Sequence, residues 1–199
     1  MESQLAILLP VAAVWLAAAV LADGLPRLRD TSTLRRRTGW LLALALTGVA
    51  LAAAAAIGGL VSAGTTPVGQ AAEALTLAIG PAFVVAACSV RRIRRLWAGA
   101  GAFETAPGTP APHGLRAAAA HPLLGLPLQV TALATVPAVI AAAGADLGAE
   151  PRVTGPAITV GALAVAAIGV RHALRHSRLA ERALPVAPRS SRATSSLHV

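Results

Sequence analysis

Few side chains in this sequence are of a type and at a spacing that could do chemistry. Glu73 is the first. It sits in the apolar stretch from Gln70 to Val90, QAAEALTLAIGPAFVVAACSV. An ionisable group in such a stretch is costly and marks a candidate ion or proton site. Thr76, Gly80 and Ala87 follow it at helical spacings, so a small or polar stripe runs with it and the reading turns Glu73 toward neighbouring helices. The competing reading is a hydrated carboxylate one turn from the outer end of the stretch, paired with Arg152.

Gln129 is the second polar side chain deep in an apolar run, with Thr131 and Thr135 close behind it. All three read as interhelical hydrogen-bonding residues. At ~1.5 Å of rise per residue, Glu73 and Gln129 lie ~16 Å apart along the membrane normal, too far to share a site.

His172 and His176 are four residues apart on one helical face, a spacing that can hold a metal, and His121 is a third ring for the same end. No carboxylate or cysteine joins them at ligand spacing, and the surrounding arginines oppose a cation. They read as solvated interfacial histidines, with no metal expected. No apolar run carries a deep histidine for haem. Cys88 is the single cysteine and has no base at a telling distance. No nucleophile-elbow, zinc-protease, phosphate-loop or CxxC pattern occurs. No cofactor is expected, and the sequence leans away from catalysis while leaving a membrane-embedded enzyme open.

The elements that carry these residues follow from composition. The chain has 199 residues, 56% hydrophobic and 13% charged, against about 25% charge in an ordinary soluble domain. Apolar runs alternate with arginine clusters and lack the period-two pattern of barrel strands. The expected fold is all-α: five transmembrane helices over about 5–22, 41–63, 70–90, 122–145 and 155–170, a polar loop over 23–39, a mostly irregular linker over 91–121, and a disordered tail over 185–199. The first run lacks the basic leader of a signal peptide and reads as an uncleaved span. Pro81 predicts a kink in the third span. Gly48, Ala52, Ala55 and Gly59 in the second span, and Ala162, Ala166 and Gly169 in the fifth, make small-residue packing stripes. The short 146–154 connection predicts that the fourth and fifth spans pack as an antiparallel pair.

All 17 basic residues are arginine. With alternate connections on opposite sides, sixteen of them fall on one side and only Arg152 on the other. By the positive-inside rule the N-terminus is outside and the C-terminus inside. Arg35, Arg36, Arg37, Arg91, Arg92, Arg94, Arg95, Arg171, Arg175, Arg178 and Arg182 form a lipid- or partner-facing basic surface against anionic inner-leaflet lipids. The net charge of +9 reads as topology, with no nucleic acid as partner. Absent lysine beside abundant alanine suggests a GC-rich bacterial genome, hence a bacterial plasma membrane.

Residues 85–95, VAACSVRRIRR, resemble 165–175, VAAIGVRHALR, which raises a duplicated hairpin or two convergent arginine stops. Two functions fit the sequence. The first is a non-enzymatic scaffold or accessory subunit, joined to a membrane partner or a second copy. The second is a small ion or solute translocator built on Glu73.

Overall fold

A computed structural model of the chain describes residues 2–62, 66–104, 106, 108–144 and 151–183. The expected disordered tail over 185–199 and the first part, 146–150, of the acidic turn expected over 146–154 lie outside these residues, and 151–154 already belong to a helix. Among the described residues eight α-helices run in order: α1 (Glu2–Gly24), α2 (Thr31–Val61), α3 (Pro67–Ala74), α4 (Thr76–Val84), α5 (Val90–Ala102), α6 (His113–Ala119), α7 (Pro122–Ala142) and α8 (Pro151–Ala183). They supply five helical stretches long and apolar enough to cross a membrane: Ser3–Arg27, Thr31–Val61, Thr76–Ala102, His113–Ala142 and Gly155–Ala183.

The centre of the bundle is α1, which packs along α7 and α2. Its buried ridge is Leu8, Val11, Trp15, Ala18 and Ala22, at the 3–4 spacing of one helical face. In a membrane, where lipid is as apolar as leucine, close packing rather than escape from water is what joins such helices. Glycine provides the approach. A Cβ on Gly48 would lie 2.8 Å from Cζ2 of the fully buried Trp15, and one on Gly59 would lie 2.5 Å from the Ala72 Cβ. The second span's small-residue stripe is thus an interface.

Three boundaries correct the sequence reading. The polar loop over 23–39 is shorter than expected, because α2 starts at Thr31. The Asp30 carboxylate caps it, accepting from Thr33 N and from the Ser32 hydroxyl, both at 2.7 Å. Arg35, Arg36 and Arg37 therefore stand on the first turns of a helix. The third span is interrupted twice, at Leu75 between α3 and α4 and by a π-helical turn at Val85–Ser89. In that turn Val90 N–H reaches back five residues to Val85 O. The turn begins four residues after Pro81, whose missing N–H already loosens the ladder.

The 91–121 linker is also largely ordered. Helix α5 continues through AGAGA to Ala102. Its glycines admit neighbours: a Cβ on Gly99 would meet Leu115 at 3.2 Å, and one on Gly101 would meet Arg35 Nε at 3.3 Å. Beyond it, Thr109 O accepts from Thr31 N and from the Thr31 hydroxyl, both at 2.9 Å, and Ala111 N donates to Arg29 O at 2.6 Å. The segment straps the start of α2.

The likeness of 85–95 to 165–175 does not extend to conformation. Val85 and Ser89 are buried in the π turn, whereas 165–169 is plain α-helix and nothing lies within 4 Å of a Cβ placed on Gly169. The fourth and fifth spans meet through α8's contacts with α6 and α7. Helix α7 packs chiefly on α1 and α4, while α8 leans on α6 and the lower part of α7. Along Gly155–Val170, α8 has no buried residue.

Candidate functional site

Glu73 faces away from the bundle, against expectation. It is exposed, as are Thr76, Gly80 and Ala87 on its stripe, and a Cβ on Gly80 would meet nothing within 4 Å. The opposite face of the same chain segment carries Ala71, Ala72, Leu75, Ala78 and Ala82, all buried, and apolar packing chose that side. Glu73 instead borders an open groove of about 430 Å³ between α2 and α3–α4, with Gly59, Ala72 and Thr76. The bundle interior beneath holds a cavity of about 10 Å³ lined by Trp15, Ala55, Leu75 and Ala78, room for at most about one water.

The polar groups that do converge lie at the arginine-rich end. Gln129 reaches a neighbouring helix: its Oε1 lies 3.1 Å from His172 Nε2. His172 is not solvated. It is 2% exposed, and its Nδ1 is buried with no protein partner among the described residues. Gly125 makes this possible, since a Cβ there would sit 2.4 Å from His172 Cε1. One turn on, His176 Nδ1 bonds Ala117 O at 3.0 Å, and its ring lies 4.9 Å from that of His121. The His121 ring caps α7, its Nδ1 accepting from Leu123 N at 3.1 Å. The three histidines thus sit at one end but are committed to helix contacts. No group of three metal-ligating side chains forms among the described residues.

Thr131 and Thr135 are fully buried, but their hydroxyls do not cross between helices. Each returns to its own helix, donating to Pro127 O and Ala132 O at 2.7 Å. The hydroxyl that does cross is Ser89, which donates to Leu123 O at 2.9 Å. Pro127 has no N–H to offer that carbonyl four residues back, so the spacing of Leu123 and Pro127 was the signal in the sequence that a donor was needed.

Asp23 is the electrostatic centre of this end. Its carboxylate takes Arg171, Arg175 at 2.6 Å and Arg27 at 3.5 Å. Two arginines of the expected lipid-facing stripe are therefore ties between α1 and α8. Arg35 is likewise engaged, by Glu104 at 2.7 Å and by the Trp97 ring at 5.4 Å. Arg36, Arg37, Arg91, Arg94, Arg95, Arg178 and Arg182 are exposed, and Arg92 is half-buried. Between α2 and α5 this surface opens into a groove of about 490 Å³ lined by Ser32, Thr33, Arg35, Arg36, Trp97 and Glu104.

The chain matches no protein family, no curated protein and no solved structure.

Proposed function

We propose that this chain is a non-enzymatic scaffold or accessory subunit of a bacterial plasma membrane, with its N-terminus outside and its arginine-rich end in the cytoplasm. One observation carries the reading. Helix α8 is fastened at its base by Asp23, Gln129 and Ala117, yet from Gly155 to Val170 it has no buried residue. A helix held at one end and left open along its apolar length offers that length to another membrane helix. Ala162 and Ala166 are exposed on it, and Gly169 has open space around it, the residue types that permit close helix contact in lipid. Site-specific photo-crosslinkers at Ala162 and Ala166 in the native membrane test this. Adducts to one protein, a partner or a second copy, are expected; lipid adducts alone would sink it. For the orientation, a reporter after Val199 should be active only in the cytoplasm.

The second reading, translocation through Glu73, draws on the helix break at Leu75 two residues away, since interrupted spans often form transport sites. Its test is Glu73→Gln. Lost ion or solute uptake at normal membrane levels favours it, and unchanged uptake counts against it.

A further inference from the structure

The groove between the start of α2 and the end of α5 is built for more than general contact with a charged surface. We infer that it is a headgroup site for one anionic glycerophospholipid, a monoanionic phosphodiester with free hydroxyls on its alcohol, of the phosphatidylglycerol type. The inference rests on the reading above that the arginine-rich end lies in a lipid headgroup layer.

The argument starts from depth. Arg36 stands four residues before Trp40 on α2, ~6 Å along the axis at ~1.5 Å per residue. Trp40 is 64% exposed and opens the apolar run; Trp97, in the groove wall, is 41% exposed. Indoles favour the boundary between acyl chains and headgroups, so the arginines between and below them sit at phosphate level. A lipid phosphate is already present at that depth, whereas a soluble one must be recruited.

Charge then selects the class. Arg35 and Glu104 neutralise each other at 2.7 Å. Arg36 is exposed and pairs with no carboxylate among the described residues. Among the side chains that line the groove one positive charge is left over, which matches a phosphodiester monoanion. A zwitterionic lipid would bring an ammonium up to Arg35 and Arg36.

Geometry supplies the rest. Arg35 is held in place from two sides. The Trp97 face lies 5.4 Å away, and Gly101 leaves room that a Cβ would take at 3.3 Å from Nε. Its guanidinium has five N–H donors, of which one meets Glu104, so others remain for phosphate oxygens. The Ser32 hydroxyl spends its proton on Asp30 Oδ2 at 2.7 Å. Its oxygen therefore accepts, as Glu104 does, which suits a ligand that carries hydroxyl donors.

Native mass spectrometry of the full chain in neutral detergent tests the site. The titrants are phosphatidylglycerol, phosphatidylethanolamine and the soluble headgroup glycerophosphoglycerol. One phosphatidylglycerol should bind per chain, about tenfold tighter than phosphatidylethanolamine, and Arg36→Gln should weaken it about tenfold, the worth of one charge-assisted hydrogen bond. Arg29→Gln, which removes an equal charge from an exposed neighbouring position, should leave it unchanged. Equal losses in the two variants, or no preference between the lipids, overturn the site. Soluble headgroup binding as tightly as the lipid overturns the lipid assignment. An environment-sensitive label on Thr33→Cys, in a Cys88→Ser background in vesicles, separates the two levels. A label in bulk water overturns the underlying reading, while headgroup depth without lipid preference overturns the site alone.

Discussion

The Ser89 hydroxyl donates to Leu123 O at 2.9 Å, across helices and into the one carbonyl that Pro127 leaves without its helical partner. The π turn at Val85–Ser89 brings that hydroxyl round to α7. A proline in one helix and a distortion in another thus compensate each other. Ser89→Ala should destabilise the bundle by about 1 kcal/mol, the net worth of one partly buried hydrogen bond. Pro127→Ala restores an N–H at the right position, so in that background Ser89→Ala should cost much less. Unfolding titrations in mixed micelles measure the cycle, and additive losses would show that the Ser89 hydroxyl does not stand in for the N–H that Pro127 lacks.

Gly125 is a space reserved for His172. A methyl group there would lie 2.4 Å from His172 Cε1, so Gly125→Ala should destabilise the protein by about 1–3 kcal/mol through overpacking. The ring would have to leave Gln129. His172→Ala in the same chain should recover most of that loss, because the clash disappears with the ring. A melting temperature for each of the three variants decides it.

Asp23→Asn should loosen α8 without unfolding the bundle. The carboxylate draws Arg171 and Arg175 of α8 to the end of α1, and partly exposed ion pairs contribute roughly 1 kcal/mol. Amide exchange over 171–183 should therefore quicken about fivefold, with α2 and α5 unchanged. Raising the salt concentration should produce part of the same effect in the parent protein.

The cap on α2 carries an acid dependence. The Ser32 hydroxyl and the Thr33 N–H both bond the Asp30 carboxylate and hold its pKa at about 2, below the ordinary 3.8. A depressed folded-state pKa stabilises above the unfolded value and loses that contribution as pH falls through the folded one. The start of α2 should hold unchanged from neutral pH to about 4 and fray between about 4 and 2. Asp30→Asn keeps an N-cap oxygen and should remove this dependence. Far-ultraviolet circular dichroism against pH, compared between parent and variant, reads the difference.

Much of the fold is legible in the sequence. Five spans, their order and the arginine stops follow from hydropathy alone, because lipid requires each crossing segment to satisfy its own backbone. That is a local condition, and local sequence answers it. The Asp-Thr-Ser-Thr cap at residues 30–33 was there to be read as well, and it accounts for the early start of α2. The stripe of Gly48 and Gly59 announced an interface, though not that Trp15 and Ala72 would fill it.

What only the tertiary structure decided is which way each side chain faces. A soluble helix shows its inner face by contrast with water, but a membrane helix is apolar all round, so periodicity carries little about its neighbours. Glu73 accordingly read as inward and stands outward, while His172 read as solvated and lies buried between Gln129 and Gly125. Asp23 and Arg171 are 148 residues apart in the chain, and nothing local couples them. The sequence by itself determined which of the described stretches are long and apolar enough to cross a membrane, and where the charge collects. Packing decided which carbonyl Ser89 completes, which arginines Asp23 holds and which helix is left open, since each depends on shapes that meet only after the helices associate.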